Sequence, residues 1–425
     1  MTPPSSDILA ELHQQTFSLD HAALTDLLAH TQNLLIIQDL DGVCMGLVKD
    51  PLNRDIDQAY VNAVTAYDGH FFVLTNGEHI GKRGINGIVA KALGQAIGNR
   101  HLPGLAAGGI QWQDRHGQLT HPGVSEAELA FLKTVPSRIE ECLRGFLDTV
   151  DHGLSPEELT HCIQASVLDN VASPTANLNT FHQRLTNPAL YRQLQAQMQG
   201  LTESLLTDAI EQGLSDSFFV HYAPNLGRDQ QGNEVVWWAD DTTSGTTDFQ
   251  FMLRGAVKEA GVLALLNHYY FYKTEQYPLG VGFNARQAPK EMADMLTLVK
   301  QNFDPAHMPL IVGVGDTVTS QAVTTDDGLE FKRGGSDRNF LQLIQNIGQV
   351  FDSGNLVVYV DSSGGELKNR RAIQVAERNG VPTVTQGPGD PRDTDDALTL
   401  NVVFPKGYRQ YCEVFQTGAA GRRDL

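Results

Sequence analysis

Apolar residues along the chain follow two patterns: short unbroken runs, and longer stretches with apolar positions three or four apart. The sharpest run is Leu34-Leu35-Ile36-Ile37, which ends in Gln38-Asp39-Leu40-Asp41-Gly42. A run that is apolar on both faces suits a parallel strand covered by helices on each side. Phe71-Phe72-Val73-Leu74 before Thr75-Asn76-Gly77 repeats the pattern, as do 308–316 and 356–361. Between the first two runs, Ile56, Tyr60, Val61 and Val64 predict a helix over 55–67, so strand, helix and strand form a βαβ unit. Leu9, Leu12, Leu24, Leu27 and Leu28 predict a lead-in helix pair over 7–32. The stretch 104–112, followed by a turn at Asp114-Arg115-His116-Gly117, predicts a hairpin.

From about 115 to 250 the pattern changes. Ser155-Pro156-Glu157-Glu158 carries a helix-start signature: a serine cap, proline at the first helical position and glutamate three residues after the serine. A long polar helix is predicted over 186–213, and strands over 217–222 and 234–238 with a loop over 225–232 between them. The α/β alternation resumes at Thr247, with a helix over 248–271, another near 290–302 and a third over 337–351. A short strand at 400–404 and a helical stub close the chain. The expected fold class is α/β, a doubly wound, mostly parallel sheet with an inserted α+β cap. The expected domains are 1–114 for the first part of the core, 115–246 for the cap and 247–425 for the rest of the core. A length of 425 residues agrees, since it exceeds what one hydrophobic core usually supports.

Net charge changes the picture most. At −19 the chain is unsuited to nucleic acid or an anionic membrane as its main partner, because both reward a basic surface. An anionic substrate must then be held by a local cation cluster or a metal. The four cysteines, Cys44, Cys142, Cys162 and Cys412, form no CxxC pair, which speaks against zinc and a disulfide scaffold and for a reducing compartment. The N-terminal residues lack the basic and apolar regions of a signal peptide, and no apolar run approaches a membrane span, so a cytoplasmic location is expected.

Candidate chemistry gathers at strand ends, where open α/β sheets bind ligands. Asp39 and Asp41 are two apart and point the same way from an extended stretch. Their mutual repulsion calls for a cation or a shared proton, and Mg²⁺, which prefers oxygen ligands, is the economical answer. The competing reading of Asp-Leu-Asp-Gly is a solvated turn. Thr75 and Asn76 end a second strand, and Asp316 ends a third in Gly313-Val314-Gly315-Asp316. Lys258 sits near the start of an apolar helix, slightly unfavourable against the dipole unless an anion is close.

At these four points the chain resembles the haloacid-dehalogenase-like phosphatase superfamily: Asp39-Leu40-Asp41-Gly42, Leu74-Thr75-Asn76-Gly77, Lys258 in Gly-Ala-Val-Lys-Glu-Ala, and Gly313-Val314-Gly315-Asp316. The insertion after the second motif matches members whose α+β cap sits there. More closely, 38–45, 74–79, 166–179, 221–229 and 313–320 resemble the cyanobacterial glucosylglycerol-phosphate phosphatase family. The resemblance implies hydrolysis of glucosylglycerol 3-phosphate in compatible-solute synthesis under salt stress, with the glucosylglycerol-phosphate synthase as a possible partner. It implies Asp39 as nucleophile and Asp41 as general acid and base. Asp39, Asp41 (through its backbone carbonyl) and Asp316 would hold Mg²⁺, and Thr75, Asn76 and Lys258 would bind phosphate. Arg254 is the fallback for Lys258. The family's second acid after Asp316 is missing at its usual spacing. Asp337 either supplies it or is a helix-start acid favoured by the dipole.

Glu78, His79, Lys82 and Arg83 follow the second motif and could line the entrance, against a solvated helix start for Lys82 and Arg83. His221, Asn225 and Arg228 are possible sugar contacts, against an ordinary loop, and 166–179 is a substrate-facing segment or a run of caps and turns. At most one of Trp237 and Trp238 can stack on a sugar, since strand neighbours face opposite ways. Alternatives to the named substrate are sucrose or trehalose phosphate, a phosphosugar mutase or an idle sugar-phosphate-binding regulator. The intact acid pair opposes the last, and free phosphate release separates hydrolysis from mutase chemistry.

Overall fold

The computed structural model describes residues 11–422, apart from Lys82, Gln230, Gly232, Asp241, Thr242, Asp326, Asp327, Lys368, Asn369 and Asn379. One sheet has the strand order Val402–Phe404, Leu356–Val360, Leu310–Gly315, Leu34–Gln38, Phe71–Leu74, Gly104–Ala106, Gln111–Gln113, Leu119–Thr120. The first six pair in parallel. The last two turn back antiparallel, as the expected hairpin beyond 104.

Alternation along the central strand explains the double winding. Leu34 and Ile36 pack with Tyr60, Phe71, Phe404 and Phe415 on one face of the sheet. Leu35 and Ile37 pack with Phe72, Leu263, Leu341 and Ile344 on the other. All four are fully buried, which stabilises the fold by about 2 kcal/mol each as an upper estimate. Helices His21–His30, Gln58–Val64 and Tyr408–Arg422 cover the first face, and Lys258–Thr274 and Arg338–Phe351 the second. Helix Tyr408–Arg422 is tied to the sheet beneath the loop that follows Gln38. Its Tyr411 donates to Gln38 Oε1 at 2.6 Å, and Gln38 Nε2 donates to Tyr60 at 2.5 Å.

A second, four-stranded sheet carries the order Val167–Leu168, Thr175–Asn177, Asp248–Leu253, Phe218–Ala223, every pair antiparallel. Helices Glu126–Leu147 and Pro188–Glu211 pack together against it. Ser125 with Glu128, and Ser155 with Glu158, form reciprocal capping boxes that start two of its helices.

Three expectations are corrected. The helix expected over 248–271 begins only at Lys258. Asp248–Leu253 alternates polar and apolar residues through Phe251 and completes the second sheet, and Gly255 at φ 83° makes the turn into the helix. Asn225–Arg228, expected as loop, is a strand paired with Glu234–Val236. The lead-in helix pair is one helix, His21–His30, preceded by a 3₁₀ turn at Leu12–Gln14; the part before residue 11 lies outside the described residues. Two hairpins were not foreseen, Thr319–Thr325 with Gly328–Gly334, and Gln374–Arg378 with Val381–Gln386.

Candidate active site

Strand register builds the site. Gln38 lies opposite Val314 on one side and Val73 on the other, so Asp39 comes level with the ends that carry Asp316 and Thr75. Asp39 N donates to Val314 O at 2.9 Å, which fixes that alignment. Gly42, at φ 83°, then turns the chain past Asp316; a Cβ there would stand 2.3 Å from Asp316 Oδ2.

Lys258 enters from the first turn of its helix. Its Nζ lies 2.8 Å from Asp39 Oδ2 and 2.6 Å from Asp337 Oδ1, with all three side chains buried. Asp337 Oδ2 accepts from the backbone N–H groups of Asp316 and Thr317, both at 2.9 Å. Asp337 stands at the start of its helix, as the dipole favours, but its side chain caps no helix N–H and bonds instead within the cluster. The inserted hairpin 319–334 explains why this acid lies 21 residues beyond Asp316. Lys258, not Arg254, reaches the carboxylates: Arg254 is exposed, and its backbone N–H donates to Ser217 O.

Asp39, Asp316 and Asp337 each place a carboxylate oxygen within 4.8 Å of the others. Lys258 pairs with Asp39 and Asp337 and the charge of Arg370 reaches Asp316, so two cations stand against three carboxylates. Burial pushes the Asp39 carboxyl up to about 6 despite the opposing charge of Lys258. Burial, reinforced by the charge of Asp337, pushes Asp316 up to about 8. Burial alone would lower Lys258, but Asp337 and Asp39 outweigh it and hold the ammonium well above its ordinary value. Asp316 Oδ1 accepts from the Thr317 hydroxyl at 2.9 Å, whereas its Oδ2 is buried with no hydrogen-bond partner. A buried, unpaired carboxylate oxygen beside surplus negative charge suits a hard divalent cation.

Asp41 stands apart from this cluster. Its carboxylate is about a quarter exposed, and its Oδ2 accepts from Arg54 Nη2 at 2.9 Å. A Cβ on Gly77 would lie 4.0 Å from that oxygen and 3.7 Å from Thr75 Oγ1, so Asp41 faces the second-motif loop. Thr75 is buried, and its hydroxyl accepts from Gly77 N at 3.2 Å; Asn76 follows it, half-buried.

The expected entrance residues play other parts. Glu78 is buried and receives Ala172 N and Ser173 N on one oxygen and Val171 N on the other, each at 2.7 Å, clamping the second-motif loop to the cap. Burial raises its carboxyl and these hydrogen bonds oppose the rise. His79 is fully buried, with its ring against Gly104 O and Gln113. Arg83 is buried too and donates to Val167 O of the cap at 2.6 Å, unlike a solvated helix start. Lys82 lies outside the described residues. Within the segment 166–179, Val167 thus bonds to Arg83 and residues 171–173 to Glu78. His221 Nδ1 and Asn225 Nδ2 reach Glu234 Oε2 at 2.9 and 3.1 Å, which binds both into the cap's own hydrogen bonding. Arg228 ends the neighbouring strand. Arg54 and Arg370, which donates to Thr317 Oγ1 at 3.2 Å, were missed; neither lies in an apolar run or a periodic face.

A doubly wound sheet whose central strand ends in a carboxylate pair, with a lysine and a further acidic strand end against it and a cap after the second motif, is the arrangement expected from the four sequence motifs. Residues 33–419 match the family model described as glucosylglycerol-phosphate phosphatase, and the chain belongs to that family. It is 59% identical over 417 residues to the glucosylglycerol-phosphate phosphatase of Synechocystis sp., covering 97% of this chain and 98% of that one. Among solved structures it is similar to the C-terminal domain of a Candida albicans trehalose-6-phosphate phosphatase, with TM-score 0.46 and 11% identity over 95% of this chain and 97% of that one. A haloacid-dehalogenase-like hydrolase from Bacillus subtilis gives TM-score 0.26 and 11% identity over 77% and 89%.

Proposed function

We propose that the chain hydrolyses glucosylglycerol 3-phosphate to glucosylglycerol and phosphate. Asp39 attacks phosphorus, and the sugar-side P–O bond breaks with its electron pair going to the leaving oxygen. Asp41 protonates that oxygen, then takes the proton of the water that cleaves the aspartyl-phosphate. Thr75, Asn76 and Lys258 hold the transferring phosphoryl oxygens, where charge is stabilised. Asp337 is a positioning residue that aims Lys258 and braces the Asp316 loop. Mg²⁺, held by Asp39, Asp316 and the backbone carbonyl of Asp41, would supply the positive charge that lets a phosphate dianion approach a carboxylate. The supporting observation is the charge deficit of the cluster, three buried carboxylates against Lys258 and the more distant Arg370, with Asp316 Oδ2 unpaired.

The cap then comprises about 121–254, since Leu119–Thr120 belongs to the core sheet and Asp248–Leu253 to the cap's. We place the reaction in the cytoplasm, downstream of a synthase that forms the glycosidic bond and leaves a phosphate to be removed. The test is phosphate release from a panel of sugar phosphates with and without Mg²⁺. Glucosylglycerol 3-phosphate should exceed sucrose and trehalose phosphates by tenfold or more in kcat/KM, and chelation should abolish turnover. Equal rates across the panel would remove the named substrate and leave the phosphatase chemistry standing.

A further inference from the structure

Asp41 needs more than the right chemistry, because a general acid acts only when its carboxyl is aimed at the leaving oxygen. Its backbone belongs to a loop that has already left the strand, so the strand does not set the side chain's direction. Among the described residues, the side chain that hydrogen-bonds the Asp41 carboxylate is Arg54, at 2.9 Å. Both side chains are about three-quarters buried, at 23% exposure for Arg54 and 27% for Asp41, which reduces solvent competition for the pair. The other guanidinium nitrogen, Arg54 Nη1, lies 3.5 Å from Arg83 O. Arg83 in turn donates to Val167 O in the cap at 2.6 Å. A planar fork held by two acceptors has a defined orientation, which a lysine ammonium would not reproduce.

We infer that Arg54 is a positioning residue for the leaving-group step. It grips Oδ2 of Asp41, leaves Oδ1 for the proton transfer, and through Arg83 ties that geometry to the seating of the cap. The inference rests on the role of Asp41 given above. In the step concerned, the P–O bond to the leaving group breaks, its electron pair stays on that oxygen, and the proton comes from Asp41. A sugar-side alcohol needs that proton. A nitrophenolate leaves without it, so misplacing Asp41 should slow the first kind of substrate and spare the second.

The experiment compares kcat/KM, which reports the steps through release of the alcohol, for glucosylglycerol 3-phosphate and p-nitrophenyl phosphate. The variants are Arg54→Gln, Arg54→Lys and Asp41→Asn, with melting temperature as the fold control. Arg54→Gln should lose tenfold or more on the sugar phosphate beyond any loss on the aryl phosphate, and Arg54→Lys should fall between it and the wild type. Arg54→Lys carries the same test if the glutamine variant does not fold. Equal losses on both substrates, as for a phosphate ligand or a purely structural residue, overturn the inference, and so does no loss. If Asp41→Asn discriminates between the substrates and the Arg54 variants do not, only the role of Arg54 fails. If Asp41→Asn loses both equally, the general-acid reading fails and takes this one with it.

Discussion

The core buries a cluster of three carboxylates and the cap a single one, Glu234, and the two sites are bonded differently. In the cap, Glu234 Oε2 accepts from Tyr222 N at 2.8 Å, His221 Nδ1 at 2.9 Å and Asn225 Nδ2 at 3.1 Å. In the core, Asp39 and Asp337 share Lys258, the neighbouring Asp316 feels the charge of Arg370, and Asp316 Oδ2 has no hydrogen-bond partner. A satisfied carboxylate holds a fold together. An unsatisfied one, kept in place by the packing around it, has bonding capacity left for a cation and a phosphate.

Substitution at the core should therefore have the largest effect. Asp39→Asn keeps size and shape but removes the nucleophile, so phosphate release should fall on the order of 10⁴-fold or more while the melting temperature stays within a few degrees. Residual turnover within tenfold of wild type would return Asp39 to an ordinary buried acid.

Removing the lysine sharpens the contrast through stability. Lys258→Met leaves Asp39 and Asp337 without their shared cation and should cost about 3–5 kcal/mol in denaturant unfolding. Saturating Mg²⁺ should recover part of that loss, because it supplies the missing charge. In the cap, Glu234→Gln should cost about 1–3 kcal/mol, with kcat/KM changed only a few-fold and no recovery by Mg²⁺. A large rise in KM for the cap variant would instead make Glu234 a substrate contact.

A pH-dependent effect is also expected. Burial, only partly opposed by Gly104 O, pushes the His79 ring down to about 4. Its folded value is below the unfolded one near 6.5, so the unfolded chain takes up the proton first. Its contribution is complete above about pH 6.5 and is lost progressively as pH falls to about 4, roughly 3 kcal/mol in all. His79→Gln should flatten that part of the stability curve measured by urea unfolding.

Much of the core was legible because its signals are local. Unbroken apolar runs mark strands buried on both faces, and their polar ends mark the ligand edge. Asp39, Asp316 and Lys258 follow from those runs and the helix start, and the structure brings them together. Asp337 was harder, because a hairpin of solvated strands separates it from Asp316 and shifts its spacing. In the cap, 248–253 was misread as helix, because six residues are too short for periodicity to decide and an apolar helix follows directly. Glu78 and His79 looked like entrance residues by adjacency to the second motif. Their burial depends on cap segments about 90 residues away and on the edge hairpin, which no local pattern reports.

Titrating Mg²⁺ calorimetrically into the wild type and into Asp316→Asn tests the charge-deficit account most directly. Binding of one ion by the wild type and its loss in the variant, with the fold intact by circular dichroism, is the predicted result. Unchanged Mg²⁺ affinity in Asp316→Asn, or no binding to either protein, would contradict it.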